Sequence, residues 1–79
     1  MRLLNDQSDK KLDNVTIFLT REEAKQLTSY LNHLLNKSSD QHAHLSSDDF
    51  QKEITICLYD EKDLSHLHPR ARKLIQDDV

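Results

Sequence analysis

Glycine is missing altogether from the 79 residues, and proline and cysteine occur once each. Phosphate-cradling loops and nucleophile elbows depend on backbone conformations that glycine adopts without a steric cost. The chain accordingly carries no Walker loop, no dinucleotide fingerprint and no G-x-S-x-G. Nucleotide-dependent catalysis and the common hydrolase chemistries are therefore not expected. A lone cysteine, Cys57, excludes an internal disulfide framework and any Cys-x-x-Cys metal ribbon. Four aromatic residues, two Tyr and two Phe, are too few for a platform on which nucleic-acid bases would stack. No apolar run is long enough to span a bilayer. Met1-Arg2-Leu3-Leu4 passes at once into the polar Asn5-Asp6-Gln7-Ser8-Asp9, unlike a signal peptide, so a cytoplasmic location is expected.

What is present is charge and polarity. Charged residues make up 32% of the chain against 35% apolar ones, and the net charge is −3, so the core of a single small domain over residues 1–79 must be thin. Mild acidity argues against nucleic acid or an anionic membrane as partner. Arg70, Arg72 and Lys73 form a short basic run, followed by Asp77 and Asp78, and read as a solvated helix face.

Alternation and spacing predict the elements. Residues 15–20, Val-Thr-Ile-Phe-Leu-Thr, read as a strand with Val15, Ile17 and Leu19 on one face. Residues 2–5 suit a short edge strand, with residues 6–13 as a hairpin loop, or else an untethered terminus. Thr20 and Glu23 have capping-box spacing, so a helix starts there. Its stripe holds Ala24, Leu27, Leu31, Leu34 and Leu35, with Tyr30 on the flank and His33 opposite; Lys37-Ser38-Ser39-Asp40 ends it. Residues 42–45 and 53–59 alternate around a Ser46-Ser47-Asp48-Asp49 turn cluster and read as a hairpin. Ile54, Ile56 and Leu58 form its inner row; Glu53, Thr55, Cys57 and Tyr59 its outer row. Pairing Leu45 with Lys52 sets Ala43 against Ile54 and His44 against Glu53, and parity survives a slip of two. Pro69 suits the first turn of a second helix reaching about Asp77, where two aspartates oppose the helix dipole and favour fraying.

The expected fold is thus α+β. It comprises a small antiparallel sheet of three to four strands in (β)βαββα order, with the long amphipathic helix and the short C-terminal helix packed on one face.

Four of five histidines fall in two His-x-His tripeptides, His42-Ala43-His44 and His66-Leu67-His68. In a strand, His42 and His44 share one face, as a chelating pair requires. With Cys57 or Glu53 they would offer zinc or another borderline metal imidazole, thiolate and carboxylate donors. The plainer reading pairs exposed His44 with Glu53 across the hairpin. A Cys57–histidine nucleophilic pair lacks any visible oxyanion-binding element. His66 and His68 precede Pro69, and His68 reaches the first turn of the second helix. The open sheet face would present Phe18, Tyr59, His42, His44 and Thr55, and the edge at residues 42–45 would offer unpaired backbone. The expectation is a non-enzymatic protein without cofactor that binds another protein or a second copy, as an inhibitor of the immunity type or a homodimer would. Zinc binding is the alternative.

Overall fold

The computed structural model describes residues 1–36 and 41–79, and within them the protein is α+β. The elements in chain order are β1 (Leu3–Asn5), β2 (Lys10–Leu12), α1 (Arg21–Asn36), β3 (His42–Ser46), β4 (Glu53–Cys57) and α2 (Pro69–Asp77). The expected single sheet of three to four strands is replaced by two separate antiparallel hairpins, β1–β2 and β3–β4. Two compact units contain them: residues 1–17 with 60–79, and residues 18–59. Each helix belongs to a different unit.

Residues 15–20 form no strand. Their alternation supplies propensity, but a strand also needs a ladder partner. Leu3–Asn5 pairs instead with Lys10–Leu12, with Leu3 opposite Leu12, Leu4 opposite Lys11 and Asn5 opposite Lys10. The consequence is exposure. Val15 and Ile17 are 51% and 50% accessible, and Phe18 is 91% accessible. The Val15/Ile17/Leu19 row is therefore not an inner sheet face.

In the unit of residues 1–17 and 60–79, carboxylates and amides do the work glycine usually does. Asn5 Oδ1 accepts the N–H groups of Gln7 (2.9 Å) and Ser8 (3.2 Å), and Asp9 closes the β1–β2 loop at φ 59°. Aspartate tolerates this left-handed conformation better than most residues with a Cβ. The connector 60–65 repeats the device: Asp60 Oδ1 accepts from Lys62 N at 2.9 Å, and Asp63 Oδ1 from Ser65 N at 3.1 Å and Ser65 Oγ at 2.6 Å. Helix α2 begins as the sequence implies, with Pro69 in the first turn and His68 Nδ1 accepting from Arg70 N at 3.2 Å. Asp78 ends it in the left-handed region, its N–H donating to Leu74 O at 3.0 Å. Lys11 lies 3.3 Å from the Asp78 carboxylate, offsetting the unfavourable dipole.

Arg70 is not a free member of a basic face. Its Nε and Nη2 donate to Asp9 Oδ1 at 2.9 Å and Asp9 O at 2.8 Å, and Nη1 donates to Val79 O. This fork ties α2 to the β1–β2 loop. Leu74 is buried there, with Leu3, Leu4, Leu64, Leu67, Ala71 and Ile75 half-buried.

In the unit of residues 18–59, the capping box forms as expected. Thr20 N donates to Glu23 Oε1 at 2.9 Å, and Glu23 N donates to Thr20 Oγ1 at 3.1 Å. The expected helix end at residues 37–40 lies outside the described residues. Helix α1 lies against β3, with Leu34 and Leu45 buried and Leu27 and Tyr30 half-buried. The covered stripe is narrower than the apolar one: Ala24, Leu31 and Leu35 are exposed.

Strands β3 and β4 pair over five positions, from His42 opposite Cys57 to Ser46 opposite Glu53. Leu45 faces Ile54 rather than Lys52, and Ala43 faces Ile56, a slip of two from the expected register. The turn causes it. Ser47 N donates to Lys52 O at 2.9 Å, while Lys52 N donates to Ser47 Oγ at 3.1 Å, closing the loop around residues 48–51. Parity is kept, so Ala43, Leu45, Ile54 and Ile56 face the covered side and His42, His44, Glu53, Thr55 and Cys57 are exposed.

Candidate functional site: the open face of the β3–β4 hairpin

Gln41 O and Lys52 O accept the hydrogen bonds that flank this ladder, from Leu58 N at 2.8 Å and Ser47 N at 2.9 Å. The 41/58 and 47/52 pairs are thus hydrogen-bonded positions. By alternation, 42/57, 44/55 and 46/53 are the non-hydrogen-bonded pairs, where opposing side chains approach most closely. All the exposed candidates sit at those positions. The sequence places them on one face; the turn decides which of them meet.

His44 is the best-connected member. Its Nδ1 lies 2.8 Å from Thr55 Oγ1, directly opposite, and 3.0 Å from Glu53 Oε1, on the diagonal. The His44–Glu53 pairing expected from sequence is present, reached diagonally rather than straight across. An ionised carboxylate only accepts hydrogen bonds, so a neutral His44 facing Glu53 carries its proton on Nδ1. That leaves Nε2 with the lone pair. The His42 ring stands edge-on to His44, centroids 5.2 Å apart and planes at 72°. Opposite His42 is Cys57, whose side chain is exposed.

Two of the contact residues expected from sequence stand elsewhere. Tyr59 lies past the end of β4 and is half-buried, and Phe18 precedes α1, almost wholly exposed. Among the described residues, no three His, Cys, Asp or Glu side chains are placed to hold one metal ion. The second tripeptide divides its roles: His68 caps α2, while His66 is exposed in the connector.

Sequence reasoning passed over Phe50. It occupies the hairpin tip at φ 59° and is 84% exposed. For a bulky residue the left-handed region costs about 1–2 kcal/mol. Ser47 and Asp49 enforce it: Asp49 Oδ1 accepts from Ser47 Oγ at 2.6 Å and from Gln51 N at 3.0 Å. Those two bonds, the hydroxyl's first, hold the Asp49 carboxyl below the ordinary aspartate range. Ser65 acts likewise on Asp63, through its hydroxyl and then its N–H. The signal for Phe50 was available, since a chain without glycine must still fill its left-handed turn positions with something else.

Two open hollows lie elsewhere, one between the 60–65 connector and Arg72 and Gln76 of α2, the other among Met1, Arg2, Leu3, Leu12, Asp13 and Asp78. No family model, curated protein or solved structure shows significant similarity to the chain.

Proposed function

We propose that the protein acts by association, pairing with a second copy of itself through its exposed apolar side chains and the open hairpin. One observation carries the reading: both phenylalanines of the chain, Phe18 and Phe50, are exposed, at 91% and 84%. In the same unit only Leu34 and Leu45 are buried among the described residues. Burying a large apolar side chain contributes about 1.5–3 kcal/mol. A small domain that leaves its largest apolar groups in water gains more from covering them than from any internal repacking.

The surroundings suit contact. Val15 and Ile17 adjoin Phe18 in sequence and are half exposed, in a ladder-free stretch of β-prone residues. The two-stranded β3–β4 sheet has open edges, which accept an added strand through main-chain hydrogen bonds. The absence from the sequence of glycine-built catalytic loops supports a non-enzymatic role. Light scattering on the eluting protein tests the reading. Wild type is expected to exceed the monomer mass, and Phe18→Asp with Phe50→Asp to return it to monomer. A doubly substituted chain that still associates would contradict it.

A further inference from the structure

The open hairpin face offers half of a zinc shell. We propose that His42 and His44 of one copy, together with the same two residues of a second copy, bind a single zinc-like divalent ion and thereby bridge two chains. The inference rests on the association reading, because it names how a second copy is held.

Three features of the face support it. First, the spacing fits. With Zn–N bonds of about 2.0–2.1 Å and tetrahedral angles, two imidazoles aimed at one ion have centroids about 5 Å apart. The His42 and His44 rings stand 5.2 Å apart with their planes at 72°, a separation that one ion could span. Second, His44 is oriented for the task. Glu53 Oε1 at 3.0 Å and Thr55 Oγ1 at 2.8 Å engage Nδ1, so the ligating lone pair falls on Nε2. A carboxylate behind a ligating histidine fixes its tautomer and raises its basicity. Glu53 is therefore a positioning residue rather than a ligand, which revises the donor set read from sequence. Third, the donor count falls short in one chain. A structural zinc site is closed by four ligands, and no third His, Cys, Asp or Glu among the described residues joins these two. A pair of imidazoles on an exposed strand satisfies half the shell. A twofold-related copy supplies the other half in kind, as a symmetric dimer contact does.

Untagged protein in the Cys57→Ser background, which excludes disulfide-linked pairs, provides the test. Zinc chloride is titrated calorimetrically, and mass is read by light scattering with zinc and with EDTA. At a concentration where the EDTA-treated chain is mostly a single copy, the expected result is one zinc per two chains, a mass that rises with zinc and falls with EDTA, and loss of binding in His42→Gln or His44→Gln. Far-ultraviolet circular dichroism checks that these surface variants stay folded. Glu53→Gln is expected to weaken zinc affinity about 10- to 100-fold at unchanged stoichiometry, and His66→Ala to leave it unchanged. One zinc per chain without pairing would overturn the bridge, as would binding that survives both histidine substitutions. If the chain pairs equally with zinc and with EDTA, and Phe18→Asp disperses it, the bridge is overturned while association stands. A monomer under every condition overturns both.

Discussion

At the scale of single residues, the protein substitutes hydrogen-bonded polar side chains for glycine. Asp9 and Asp78 take left-handed positions that short acidic side chains tolerate, but Phe50 does not belong to that class. Its exposed ring has little packing to lose. At concentrations where the chain is a single copy, Phe50→Gly is therefore expected to stabilise the fold by about 0.5–1 kcal/mol, relief of the backbone outweighing the added freedom of the unfolded chain. A chemical denaturation midpoint measures it, and an unchanged or lower midpoint would contradict the account. Asp49 gives a second prediction. Its carboxyl titrates below the ordinary aspartate range because Ser47 and Gln51 donate to the ionised form. With the folded value below the unfolded one, the carboxylate's contribution is present in full above the unfolded value. It fades as pH falls through the folded one. An NMR titration of the Asp49 carboxyl carbon is expected to show this depression, and Ser47→Ala to reverse much of it. A wild-type titration at or above the free-peptide value would sink the point.

Sequence legibility at this scale was uneven. His42, His44, Glu53, Thr55 and Cys57 were placed on one face by parity alone, since a two-residue repeat survives any even slip. The diagonal meeting of His44 and Glu53 was not legible, because it depends on how Ser47 and Asp49 wind the turn.

At the scale of elements, local signals were sufficient where they were self-contained. The Thr20–Glu23 box, Pro69 and the polar residues at the hairpin tip each act within a few residues, and α1, α2 and the β3–β4 hairpin all formed. Thr20→Ala removes an oxygen that accepts from Glu23 N, and is expected to cost about 1 kcal/mol. The denaturation midpoint again reports it; a change within error would show that the box adds nothing to α1. The failure came at residues 15–20, where the signal was propensity alone. A strand exists only with a partner, and partner choice is a long-range matter that alternation does not encode. In the structure β1 pairs with β2 across the short loop of residues 6–9, and residues 15–20 join neither hairpin. The six β-prone residues then became surface.

At the scale of the whole molecule, the thin core anticipated from 35% apolar and 32% charged residues is what the chain builds. Leu34, Leu45 and Leu74 are its buried residues among those described. The composition did not disclose that the residues would divide into two units with separate hairpins. A molecule organised this way leaves Val15, Ile17, Phe18 and Phe50 accessible to a second chain. Mass action then links folding to concentration, so anything that covers these groups in the folded state also stabilises it.

Sedimentation equilibrium over a hundredfold concentration range bears on this most directly, performed in EDTA so that metal plays no part. The account predicts a weight-average mass that climbs from one chain toward two as concentration rises, and Phe18→Asp shifting that rise to higher concentration. A single-chain mass across the whole range would contradict it.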